Sequence, residues 1–531
     1  MDNFFKFSIR NNLLVVSVLL VFFLILFFNV GLLPIGNLGD FLFFIILTFA
    51  FAFYRPGWAF LFFVGAIVLE NITLIPKEIG LMIRPYQLLG FLILLAVAIR
   101  FFTKRLNFTL PKLKWYDAAI ILVGLSSFLS ILIAENRFLS LKLSIVICSF
   151  VALYFLTRIF IQDTEDVFKI VPFFLGSSLV VIFYGIWQNI LFSKGLNSFE
   201  VMPGRPNATF AEADWLGIFL VLFITIIYSL IFYFYVKKED DKIYDLRFTI
   251  YDLQKLFYFL SLIITYVLLI ITVSRSAWLG AGIASIFFAI LILLRDRKIF
   301  WKTMLLIILS GIISLVIVYV FHLTTFQLFN RAVSTGGLQK ITVACPSEFD
   351  SELELSSNFT ISHVSELEKY GCRHINLEDI NQERDSGHRI QEIYRADPNV
   401  NIRAEIYKKS WQQIKTHPVL GIGWGNIGDV LGKDERGAGL NSSNIFLEIW
   451  LGAGILGIIA FLSVWVYILL KSVYAFFNTE DNLIKVFSLF IAISWLGITI
   501  TNLFNAGILL GFLWVYMAIA LIEYKKDANR N

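Results

Sequence analysis

Between Leu256 and Leu294 the chain is apolar for about twice the length of a membrane-crossing helix, and Arg275 is the one charge in that stretch. A helix needs about 20 apolar residues to cross the hydrocarbon, and an arginine at its centre costs at least ~2.5–3.5 kcal/mol. Arg275 is therefore expected at a tight turn between two spans, at one membrane face. There it either snorkels to the interface or meets a polar partner.

The same pattern recurs along all 531 residues, of which 58% are hydrophobic and 16% charged, with a mean hydropathy of +0.77. These values exclude a soluble globular or a disordered chain. Apolar runs fall near 12–34, 38–54, 57–75, 85–102, 116–134, 139–161, 167–192, 214–236, 256–273, 276–294, 301–321, 444–470, 484–503 and 506–523. They lack the period-two alternation of a membrane barrel. The expected fold is an all-α polytopic membrane protein of about 14 transmembrane helices, the second and third runs being the least clear-cut. Lys6 and Arg10 precede a first run too long for a signal-peptide core, so it reads as a retained span.

Placing the N-terminus inside puts the basic loops on one side. These carry Lys104, Arg105, Lys112 and Lys114, then Lys237, Lys238, Lys242 and Arg247, then Arg295, Arg297, Lys298 and Lys302, and last the tail Lys525, Lys526 and Arg530. The short opposite loops keep only scattered cations, Lys77, Arg84, Arg137, Lys194, Arg205 and Arg275. This bias predicts both termini in the cytoplasm. The net charge of +5 is thus a matter of loop distribution and gives no sign of a nucleic-acid partner.

The chain then divides into a bundle over 1–321, a long extracytoplasmic loop over 322–443 and a last set of three spans with a tail over 444–531. Within the loop, Ile406, Tyr407, Ser410, Trp411 and Ile414 repeat at helical spacing. They predict an amphipathic helix near 401–416, capped by Asn401 and stopped by Pro418. Glu348 to Glu392 reads as an acidic, solvated insertion. Cys345 and Cys372 both lie in the loop, where an oxidising compartment would allow a disulfide.

Motifs for familiar chemistry are few. Gly421 to Asn426, GIGWGN, has neither GxGxxG spacing nor a Walker lysine and reads as a tight turn. No HExxH, CxxC pair or outer-loop DxD argues for a metal, and no cofactor is expected. His417, before Pro418, suits a turn as well as a catalytic group. Arg205 stands between Gly204 and Pro206 in a rigid approach to a span, where it either grips phosphate bidentately or pairs with Glu212 or Asp214.

Four segments in order, GRPNATFAEADWLG, SRSAWLG, RAEIYKKSWQQIKTHPVLGIGWGN and NSSNIFLEIWLGAGILG, resemble the O-antigen ligase and polymerase superfamily of bacterial envelopes. The resemblance covers roughly Arg205 to Gly457. It implies an all-helical, metal-independent glycosyltransferase of the bacterial inner membrane. Such an enzyme takes a glycan from undecaprenyl pyrophosphate at the outer leaflet and passes it to a hydroxyl of lipid A core, another glycan or a protein. By motif position, Arg205, Arg275 and Arg403 are expected on the pyrophosphate, with Asn444 and Trp424 as secondary contacts. The family's usual histidine is Ser443 here, and its frequent glutamate is Gly452. The base is accordingly left among Ser443, His417 and Glu448, or the activity has been lost. A polysaccharide polymerase of the same superfamily, or a lipid or polysaccharide flippase, are the alternatives; a flippase should carry midplane polar groups and repeated halves.

Overall fold

The computed structural model describes residues 7–33, 37–75, 82–106, 108–202, 204–241, 250–323, 338–346, 360–361, 364–375, 380–396, 398–432 and 439–524. Lys6, Lys77, Lys242, Arg247, the tail cations and much of 348–392 lie outside them.

Every apolar run yields a helix. Among the described residues eleven are long and apolar enough to cross a membrane, while Leu38–Tyr54, Pro56–Ala66 and Gly511–Ala520 are shorter. The three shorter helices fall on the remaining runs of the expected fourteen. A helix of ten or eleven residues rises only ~15–17 Å against a hydrocarbon core of ~30 Å. The run 57–75 leaves the helix after Ala66 because its remainder is needed as irregular chain: Val68 O accepts from Thr209 Oγ1 (2.6 Å) and Asn71 N donates to Thr209 O (2.7 Å).

At the centre stands α8, Ala213–Asp241, whose span is 89% buried, as an all-round apolar helix must be in a large bundle. It packs on α9 (Ile250–Ile271), on α10 (Arg275–Arg295) and on the helix Asn482–Asn502. The glycines of the two WLG motifs allow the approach. A Cβ at Gly217 would lie 2.6 Å from Ala277 Cβ, and one at Gly280 would lie 2.9 Å from Gly497 O. Without a hydrophobic force between helices in lipid, such small residues let van der Waals packing hold them together.

On the face opposite the arginine motifs, basic side chains tie loops to helix ends. Lys114 pairs with Glu523 (2.7 Å), and Arg295 donates to Phe476 O and Thr479 O.

The long helix Ile445–Asn478 breaks at Gly454, whose φ of 68° and ψ of −170° suit glycine. The strand-like segment 419–423 repairs the break: Ile422 N and Gly423 N donate to Leu451 O (2.7 and 3.1 Å), and Ile455 N donates to Val419 O (3.1 Å). Next to it Trp424 is buried, its indole N–H on Ser127 Oγ (2.9 Å), and its ring fills the space that a side chain at position 452 would need.

The long loop before the last helices holds more than helix. Strands Leu338–Pro346, Thr360–Ile361, Arg373–His374 and His388–Ala396 form a four-stranded sheet in which the first strand lies antiparallel between the third and the fourth. Ile341, Val343, Ile361, Leu367 and Ile393 make its core, beside a disulfide between Cys345 and Cys372. The sheet is a small addition to an otherwise all-α fold, and much of the acidic insertion 348–392 lies outside the described residues. One residue past the sheet, the helix Pro398–Thr416 begins at its proline, with Asn401 inside it and not at its cap.

Two outcomes are expected. The disulfide closes a loop with a sequence separation of 27 and should stabilise the sheet by about 3–4 kcal/mol. Limited proteolysis should therefore cut 338–396 much faster in Cys372→Ser or under reductant, and equal cutting rates would contradict this. Gly452→Glu should overpack Trp424 and cost about 1–3 kcal/mol, read as a lower melting temperature in detergent; an unchanged melting temperature would mean that the ring is free to move.

Candidate functional site

Arg205 is held in a segment that cannot be helical. Its amide donates to Met202 O (3.1 Å), Asn207 Oδ1 accepts from Val201 N (3.0 Å), and Ala208, at φ 47°, donates its N–H to Gln188 Oε1 (2.7 Å). The side chain is then aimed by three bonds: Nε to Thr272 O (3.1 Å), Nη1 to Met202 Sδ (3.6 Å) and Nη2 to Asp214 Oδ1 (3.2 Å). A guanidinium has five N–H groups, so among the described residues two remain for a ligand.

Thr272 belongs to the turn that leads to Arg275. Val273 there adopts φ 52°, a conformation rarely available to a β-branched residue, and Arg275 is the first residue of α10. Ser274 occupies the cap position, yet its hydroxyl donates to Asp214 Oδ1 (2.6 Å) and does not cap the helix. The first turn of α10 holds no acidic residue, so its amides and its dipole are left for an anion. Arg205 and Arg275 thus lie on one face, the first bonded to the turn that carries the second.

From the other side comes the helix Pro398–Thr416. The guanidinium of Arg403 lies 5.8 Å from the ring centroid of Phe504, and its charge also acts on Asp214. Tyr407, one turn on, donates to Leu503 O (3.0 Å) and Ser443 O (3.5 Å). Burial pushes this phenol above its ordinary value, although Arg403 and a bond with Asn444 work against the shift, so it acts as a neutral donor. Asn505 closes the ring by donating to Ser276 Oγ (2.8 Å), and Ser276 in turn lies 3.3 Å from Ser274.

Ser443 sits in left-handed backbone, φ 51°, with its amide on Asn441 Oδ1 (2.8 Å). Asn444 caps the helix Ile445–Asn478 by accepting from Phe446 N (2.9 Å) and Leu447 N (3.3 Å), and donates to Leu503 O (3.4 Å). Ala208, Val273 and Ser443 are three of six non-glycine residues with positive φ among the described residues, and each lies in a segment that frames this site. Backbone strain of this kind persists only where the surroundings over-determine it, as they do here.

Among the described residues the other expected residues make no hydrogen bond to the three guanidinium groups. Glu448 is 9% exposed, with Oε2 accepting from Ser442 N (2.7 Å). His417 is exposed, with Nδ1 on Thr416 Oγ1 (3.0 Å), and fourteen helical residues from Arg403 set it roughly 20 Å along the axis. Trp424 is 5% exposed beneath the helix break. Among the described residues no three His, Cys, Asp or Glu side chains gather at metal-holding distance.

Sequence reasoning treated Asp214 as a neutralising partner and passed over Ser274, Ser276, Tyr407 and Asn505 as site residues. The available signal was position: Asp214 and Ser274 each stand at the start of a WLG motif that follows an arginine or contains one.

No curated protein matches the chain. A family model described as O-antigen ligase matches residues 260–462, a segment that takes in Arg275, Arg403, Trp424, Ser443 and the broken helix and leaves out Arg205 and Asp214. Eleven membrane-length helices among the described residues, the turn at Arg275 and this match agree: the chain is a multi-pass membrane protein whose segment 260–462 is similar to the O-antigen ligase family.

Proposed function

We propose that the protein is a membrane glycosyltransferase that moves a glycan from undecaprenyl pyrophosphate to an acceptor hydroxyl at the periplasmic face of the bacterial inner membrane. The observation that carries this reading is the bond from Arg205 to the turn of Arg275, with Arg205 and Ser274 of that turn both bonded to the Asp214 carboxylate. The loop distribution of lysine and arginine supports both termini in the cytoplasm, with this cluster outside.

When the bond from the sugar to the lipid diphosphate breaks, negative charge grows on the leaving oxygen. Fixed cations and helix-end amides in a partly dry site stabilise that charge without reorganising, and guanidinium forks match phosphate oxygens in pairs. Arg205 is pre-aimed by its three bonds, and the start of α10 adds its amides beside Arg275. Arg403, on the helix of the extracytoplasmic loop, closes the site from above the bundle, and Asn444 lies beside it. The acceptor, whether lipid A core, another glycan or a protein, would enter from the loop side.

A flippase reading lacks comparable support, since the clustered arginines lie at one membrane face and not at the midplane.

Replacing Arg205 or Arg275 with alanine should lower transfer by about 10²–10³-fold, measured with membranes and the lipid-linked glycan that accumulates in a deletion strain. Undiminished transfer by both variants would end the enzyme reading. Mass spectrometry of that strain should show lipid-linked intact polymer if the protein is a ligase, whereas single repeat units would make it a polymerase of the same superfamily.

A further inference from the structure

The transfer reaction requires a proton acceptor, and the position where the family resemblance places histidine is Ser443. We propose that Asp214 is the general base, taking the proton of the acceptor hydroxyl on its Oδ2 atom; the proposal rests on the glycosyl-transfer reading.

The geometry is asymmetric in a way that suits the task. Both hydrogen bonds to this carboxylate, from Arg205 Nη2 and from Ser274 Oγ, fall on Oδ1. Among the described residues none falls on Oδ2, and the side chain is 28% exposed. One oxygen is anchored, by Arg205 and by Ser274 of the turn that carries Arg275, and the other is open. A base used only as a structural counter-ion for Arg205 would gain from sharing both oxygens with it, and bidentate pairing is the common Arg–carboxylate arrangement.

Rival groups are otherwise engaged. Glu448 has Oε2 on the backbone of Ser442 and is nearly enclosed, Tyr407 donates to two carbonyls, and His417 is roughly 20 Å along its helix. Carboxylates serve as general bases in glycosyl transfer to a hydroxyl, so the chemistry does not require a histidine.

In the step proposed, the acceptor oxygen forms its bond to the anomeric carbon. The bond from that carbon to the phosphate oxygen breaks, and its electron pair leaves on undecaprenyl pyrophosphate. The hydroxyl proton goes to Asp214 Oδ2 and afterwards to water, while Arg205, Arg275 and Arg403 balance the charge of the departing diphosphate.

The test uses the full-length protein in detergent, with the lipid-linked glycan from the deletion strain as donor and undecaprenyl pyrophosphate alone as the binding probe. Asp214→Asn keeps an oxygen to accept from Ser274 and Arg205. It should lower turnover by about 10²–10⁴-fold, leave binding of undecaprenyl pyrophosphate within about threefold, and regain part of its rate with added formate. Asp214→Glu, which restores a carboxylate, should exceed Asp214→Asn by at least about tenfold. Turnover close to wild type in Asp214→Asn, equal rates for Asn and Glu, or a loss of probe binding that formate does not repair would each overturn the proposal. Run alongside, Arg205→Ala and Arg275→Ala separate the two readings. If both keep full transfer, the enzyme itself is refuted. If both lose it while Asp214→Asn does not, only the base is.

Discussion

Backbone that leaves the helix within a membrane bundle has no water to satisfy it, so every freed N–H and C=O must find its partner inside the protein. This chain leaves the helix repeatedly on one face, and each departure is closed by bonds to another segment. The segment 204–210 hangs on Gln188, Val68 and Asn71; the break at Gly454 is filled by 419–423; and the turn before Gly511 is held by Glu70, whose Oε1 accepts from Gly511 N (2.8 Å). Glu70 is itself paired with Arg84 at 2.8 Å, and Arg84 also donates to Leu509 O (2.6 Å). Removing one partner of such a buried pair typically costs 3–5 kcal/mol, enough to matter in a fold of marginal stability. Of the candidate site residues, Arg205 rides on one of these irregular pieces, while Arg275 and Arg403 stand on helices. Irregular backbone of this kind is held as firmly as helix, because a membrane bundle permits no unbonded groups beside it.

The helices were legible because a transmembrane helix announces itself by length and hydropathy alone, and Arg275 was legible as a turn because its burial in mid-span would be too costly. The truncated helices were not. Run 57–75 is apolar enough to be helical, and only the partners waiting at Thr209 take its second half out of the helix. The sheet in the long loop was missed because its two long strands, 338–346 and 388–396, are separated by some forty positions, and the acids between them read as solvated chain. At the site, charge type identified the arginines, but no pattern in one sequence says which oxygen of Asp214 is bonded and which is open.

The two departures from the family pattern have physical counterparts. At 452, the space that a longer side chain would take is filled by the Trp424 ring, so glycine there is a packing requirement. At 443, the left-handed backbone is retained by a serine whose amide is fixed on Asn441. That turn sets Asn444 as the cap of the broken helix and meets Tyr407 through the Ser443 carbonyl.

The account depends on separate arginines gripping one diphosphate, and a double-mutant cycle on ligand affinity tests that most directly. Undecaprenyl pyrophosphate binding would be measured for the unaltered protein, for Arg205→Ala, for Arg275→Ala and for the pair together. Residues that share a ligand couple by about 0.5–3 kcal/mol, so the double variant should lose clearly less affinity than the two single losses combined. Single variants that bind as tightly as the parent, or losses that simply add, would mean that the two guanidinium groups do not meet on the same molecule.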